Sequence, residues 1–158
     1  MEKKRESTPV VANVQYGGAY RASLEEAART GRCPFCDPEF QRSPDILHRV
    51  DGWFVLRSRY PTHDRLARPP HLQLLLVKES HDDLTTADWA AWGAMWAWSA
   101  REFDIRGGGF CVRIGDSTLS GRTILHPHAH ILVPNLCTIS TAEGEEREVA
   151  VPIDFPVG

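Results

Sequence analysis

Several absences narrow what this 158-residue chain can do. No apolar run approaches the ~20 residues of a membrane span, so no membrane partner is expected. An excess of one charge is missing as well: 18 Lys and Arg stand against 21 Asp and Glu, a net of −3 spread along the sequence. That balance gives no electrostatic case for nucleic acid as a partner. There is no internal repeat and no low-complexity tract. Cysteine is scarce, with four residues, two of them in Cys33-Pro34-Phe35-Cys36. Thiols so few and so placed suggest a metal or redox pair in a reducing compartment rather than a disulfide framework. The first residues, Met1 to Ser7, are charged and no apolar segment follows them, so a cytoplasmic location is expected rather than secretion. What is present is a length that fits one domain with a substantial core, and an apolar fraction of 42% compatible with a globular fold.

Residues 1–20 are largely polar with Gly17-Gly18 as turn formers, and they read as a flexible arm ahead of a single domain over 21–158. Ser23 to Gly31 reads as a short helix, with Ser23 as cap, Glu25 and Glu26 at its positive end and Gly31 as a left-handed stop. Ile46–Val50 and Trp53–Arg57 are two strands joined across Asp51-Gly52, a strong hairpin signal. The proline-rich stretch from Ser58 to Pro70 is a loop, and His71–Val77 is apolar enough to be a central strand. Thr85 opens the main helix as its cap. Trp89, Trp92, Trp96 and Ala100 fall at helical spacing and are expected to pack across the sheet. Gly93 belongs to the same stripe. It costs a helix about 1 kcal/mol relative to alanine, which close approach to the sheet would explain. Phe110–Ile114 is a fourth strand, Gly115 to Gly121 a turn-rich loop, and Glu148–Ile153 one more possible strand. The order predicts an α+β domain: an antiparallel sheet of about five strands packed with one long helix and one short N-terminal helix.

The stretch that carries chemistry is His126-Pro127-His128-Ala129-His130, running into Ile131-Leu132-Val133-Pro134. Side chains of a strand alternate between faces, so an extended backbone puts the three imidazoles on one face, about 6.5 to 7 Å apart. Ala129, Ile131 and Val133 would anchor the other face to the core. Imidazole can serve as nucleophile, proton carrier or metal ligand near neutral pH. Together the three cannot converge on one open zinc, because they spread over roughly 13 Å. Two thiols at Cys33 and Cys36, in a turn after a helix, can bind a tetrahedral zinc, and the same spacing also suits a redox motif.

These residues resemble the histidine triad (HIT) superfamily of nucleotide hydrolases and transferases. Its His-x-His-x-His signature with an apolar tail is matched by His126 to Val133, and its approach by Gly121-Arg122-Thr123-Ile124-Leu125. The apolar strand closing in a lysine, a histidine and an acidic helix start is matched by Leu74 to Leu84. The resemblance covers roughly Cys33 to Pro134. It implies a structural Zn2+ held by Cys33, Cys36, His81 and His126, a closed set with no position left for water. It makes His128 the nucleophile on the α-phosphorus of a nucleotide, forming a nucleotidyl-histidine that water or another acceptor resolves. It gives His130 and Thr123 contacts to the phosphate or leaving group. Dinucleoside polyphosphates and nucleoside phosphoramidates are the implied substrate types, and a homodimer the implied assembly.

The chain departs from the family where an acidic residue would bind ribose, offering Ser58 instead, with Asp64 further off. It also lacks a clear counterpart of an asparagine ahead of the triad, where Arg113 or Arg122 could contact phosphate. Those departures motivate an alternative, a degenerate HIT domain that binds nucleotides without turnover. His48, His63 and His71 are expected at the surface or behind the site.

Overall fold

The computed structural model describes residues 18–153. Most of the expected arm therefore lies outside the described residues, and its last three positions form the start of a helix. Helix α1 (Gly18–Thr30) begins five residues before Ser23, supported by ion pairs between Arg21 and Glu25 and between Arg29 and Glu26. Gly31 ends it with a positive φ of 66°. A tight turn over Pro34–Cys36 and the short α2 (Pro38–Gln41), capped by the Asp37 carboxylate, lead to β1 (Ile46–Val50) and β2 (Trp53–Arg57). Asp51 and Gly52 both take positive φ, the signature of the predicted two-residue hairpin.

β3 (Leu72–Lys78), α3 (Thr86–Glu102), β4 (Gly109–Val112), α4 (Ser117–Ser120) and β5 (His128–Val133) complete the main unit. The sheet order is β1-β2-β3-β5-β4, and each neighbouring pair is antiparallel. This is the expected α+β architecture. Beyond it, β6 (Leu136–Ser140) and β7 (Glu146–Ala150) form a separate two-stranded ribbon. The tail strand therefore sits earlier than Glu148–Ile153 and has a partner that the sequence did not signal. The ribbon is mostly exposed, so neither strand needed the apolar alternation that marks a half-buried one.

Alternation along the strands separates two cores. On one face Trp53, Val55, Leu74, Leu76, Ala129 and Ile131 pack under α3 through Ala91, Trp92 and Met95. On the other Phe54, Leu56, Val77 and Ile124 meet Leu24 and Ala27 of α1 and Phe35 of the cysteine turn.

The helix is rotated from the expected stripe. Its buried positions are Asp88, Ala91, Trp92, Met95 and Ser99, while Trp89 is 57% exposed. Asp88 is what turns it. Its carboxylate accepts from Trp53 Nε1 at 2.7 Å and Lys78 Nζ at 3.2 Å, so an acid faces the sheet where a hydrophobic residue would be expected. Gly93 consequently points to solvent, with nothing within 4 Å of where a Cβ would stand. The close backbone approach lies instead at Gly108, where a Cβ would come within 2.6 Å of the Leu132 carbonyl oxygen.

Candidate active site and metal centre

β5 places His128 and His130 on the α1 side of the sheet and buries Ala129 and Ile131 under α3, as alternation requires. The two rings stand edge to face with centroids 5.4 Å apart, closer than an ideal strand spacing. His126 precedes the strand and is fully buried. Pro127 lies between them without interrupting the ladder, since only its carbonyl is used, accepting from the Lys78 N–H at 3.1 Å.

Each histidine has a partner that decides which nitrogen carries the proton. A carbonyl can only accept, so His126 carries its proton on Nε2, donating to the Lys78 carbonyl at 2.6 Å. Its Nδ1 is thereby left as a lone pair facing Cys33 Sγ at 3.6 Å and Cys36 Sγ at 3.4 Å. His128 is the reverse: Nδ1–H donates to the His126 carbonyl at 2.8 Å, and Nε2 keeps the lone pair.

Cys33, Cys36, His81 and His126 bring one donor atom each to within 4.8 Å of one another. His81 Nδ1 lies 3.3 Å from Cys36 Sγ. Tetrahedral zinc with ordinary Zn–S and Zn–N bonds requires sulfur-to-nitrogen edges of about 3.6 Å, which the distances from His126 to both thiols and from His81 to Cys36 approach. The donor set fits as well: two thiols, and one imidazole whose distal N–H is held by a carbonyl, which orients the coordinating nitrogen. Burial, then the hydrogen bond with Cys36, pushes the Cys33 thiol up to about 12. A bound cation would reverse that preference. Phe35, inside the same turn, lies edge-on to both His126 and His128, with centroids 5.7 and 5.4 Å away. The cysteine turn therefore braces the triad as well as offering two thiols to a metal ion.

His128 and His130 open onto a cavity of about 800 Å³. Thr123, Arg113, Arg122 and Ser58, all singled out from sequence, line it too. Arg113 donates to the Gly121 carbonyl and Arg122 to the Leu125 carbonyl, which fixes both arginines to the loop that leads into β5. Burial, then the Arg122 and Arg113 charges, lowers the pKa of His128. Burial, then the His128 and Arg113 charges, lowers His130 to about 3. Both rings are thus neutral near pH 7. No carboxylate is among the described residues lining the cavity. Asp64 is instead buried in its own loop, accepting from the Leu66 and Arg68 N–H groups and Asn135 Nδ2.

The cavity also holds residues that no motif marked. Tyr20 of α1 reaches across to Thr123, the two hydroxyls 3.0 Å apart, and its ring tilts against Tyr60 at 4.9 Å. Gln73 of β3 lies beside His130. Among the histidines expected to be peripheral, His63 lines the cavity, His71 is exposed, and His48 stacks on Trp98 at 4.6 Å.

No family model and no curated protein sequence matches the chain. Solved structures do resemble it. A histidine triad protein from Clostridium difficile is 18% identical with a TM-score of 0.51, over 65% of this chain and 90% of that one. A HIT family hydrolase from Clostridium thermocellum is 16% identical with a TM-score of 0.48, over 65% and 90%. One from Legionella pneumophila Philadelphia 1 is 15% identical with a TM-score of 0.48, over 72% and 100%. The likeness to the Clostridium difficile protein shows that the chain has the fold of the histidine triad proteins.

Proposed function

We propose that the chain is a HIT-type nucleotide hydrolase or nucleotidyltransferase working through a covalent nucleotidyl-histidine. The observation that carries the reading is the bond from His128 Nδ1–H to the His126 carbonyl, which leaves Nε2 of a cavity-lining imidazole unprotonated. Nε2 attacks the α-phosphorus, an N–P bond forms, and the bond from phosphorus to the leaving oxygen or nitrogen breaks with its electron pair. The leaving group takes up a proton. Water or another acceptor then attacks phosphorus, loses a proton, and returns the electron pair to His128. His130, Thr123, Arg113 and Arg122 donate to the phosphate oxygens and stabilise the charge that accumulates there. Dinucleoside polyphosphates and nucleoside phosphoramidates are the substrate types this chemistry suits.

Cys33, Cys36, His81 and His126 would hold zinc. With four protein ligands it supplies a cross-link rather than an activated water. His126 is then a structural ligand and His128 and His130 are the reacting pair. A cytoplasmic location and a homodimer complete the reading. The four free thiols agree with a reducing compartment, and β4, with Phe110 partly exposed, stands at an outer edge of the five-stranded sheet.

The cavity without a carboxylate favours a second reading, a domain that binds nucleotides without turning them over. A panel of dinucleoside polyphosphates, nucleoside phosphoramidates and nucleotide sugars separates the two. Turnover of any member that disappears in His128→Ala supports the enzyme. Binding without turnover, unchanged by that substitution, supports the second reading.

A further inference from the structure

We infer that Gln73 is a positioning residue that fixes the tautomer of His130, holding it as a neutral imidazole with its proton on Nε2. The tautomer follows from which atoms can donate. One end of the Gln73 amide lies 2.8 Å from the backbone N–H of Thr62. A backbone N–H cannot accept, so the amide atom facing it is the oxygen. The other end is therefore the NH2 group, and it stands 3.3 Å from His130 Nδ1. An amide NH2 cannot accept, so Nδ1 carries a lone pair and the ring proton sits on Nε2.

Gln73 is only 8% exposed and lies between Leu72 and Leu74, which are buried on the opposite face of the same strand. Little room remains for the amide to turn over. The chain of bonds runs from the loop backbone at Thr62 through Gln73 to His130, so the position of the Ser58–Pro70 loop is coupled to the protonation pattern of the site. The imidazolium is disfavoured by the same geometry, because a second N–H at Nδ1 would face the amide hydrogens.

The consequence for the reaction rests on the function proposed above. There His130 must donate to a phosphate oxygen without competing as a nucleophile, and the Nε2–H form does both. His128 has the opposite pattern, with its lone pair on Nε2. Two neighbouring imidazoles thereby differ in which nitrogen bears the proton, each set by its own partner.

Long-range 1H–15N correlation spectra of the full-length, metal-loaded protein read the tautomer directly, without substrate. The expected spectrum of wild type has His130 unprotonated at Nδ1 and protonated at Nε2. In Gln73→Glu the carboxylate can only accept, so His130 should gain a proton at Nδ1. Turnover of a substrate cleaved by wild type should then fall roughly ten- to a hundredfold in kcat, the scale of losing a supporting hydrogen-bond partner. A wild-type His130 protonated at Nδ1 overturns the inference even if the variant fails to fold, and so does an unchanged His130 pattern in a folded Gln73→Glu. Because the spectrum needs no turnover, a chain that cleaves no nucleotide would refute the proposed function while the tautomer result still stands or falls by itself.

Discussion

His126, His128 and His130 share one motif yet occupy three environments, set by the Lys78 carbonyl, the His126 carbonyl and the Gln73 amide. The motif was legible because three alternating histidines are conspicuous. Gln73 was not, since one neutral amide in an apolar strand carries no chemical signature until its partners are seen. Tyr20 was hidden for a related reason: it meets Thr123 from 103 residues away. The environment of His130 makes a prediction about pH. Burial, then its charged neighbours, lowers its pKa from 6.5 to about 3, so the unfolded chain takes up that proton first. Stability from this group is complete above about pH 6.5 and declines as pH falls towards 3. By pH 5 the loss is about 2 kcal/mol. Urea unfolding at pH 7 and pH 5 should show that His130→Asn loses about 2 kcal/mol less than wild type over this interval. Equal losses would contradict the burial assigned to the ring.

Among the elements, the five sheet strands were readable because each has a face or a core to fill, and the Asp51-Gly52 turn is written in residue type. The rotation of α3 was not readable. Its stripe of tryptophans predicts one face, but Asp88, bound to Trp53 and Lys78, brings a different one inward. Two glycines test the observed packing. Gly93→Ala adds a methyl in open space on a helix and should stabilise by about 1 kcal/mol. Gly108→Ala drives a methyl against the Leu132 carbonyl oxygen and should destabilise by about 1 to 3 kcal/mol. If the two thermal shifts came in the reverse order, α3 would face the sheet as the tryptophan spacing suggests. Asp88→Ala leaves the buried Trp53 Nε1 without its acceptor and takes one partner from Lys78, which keeps Asp82 at 3.0 Å; breaking the pair should cost about 1 to 3 kcal/mol by denaturant unfolding. A loss below about 1 kcal/mol would mean that the pair behaves as an exposed one.

At the scale of the molecule, the four residues that could hold a metal ion come from the turn after α1, the segment following β3 and the entry to β5. An ion held there would tie the α1 side of the molecule to β5, and the separation of these four residues in sequence is why only the Cys33–Cys36 pair was marked by its spacing. Metal analysis should find one zinc per chain, retained in His128→Ala and lost in Cys36→Ser. Removing an ion held at a thousandfold its dissociation constant withdraws about 4 kcal/mol, so chelation should lower Tm sharply. Zinc lost with His128→Ala would instead place that residue among the ligands. The proposed chemistry depends on His128 being the group that bonds to phosphorus. The most direct test is to mix the protein with a cleavable nucleotide, quench with alkali within one turnover, and map the adduct by mass spectrometry. A nucleotidyl group on His128, absent in His128→Ala, is the predicted result. Turnover with no adduct, or with the adduct on His130, would contradict it.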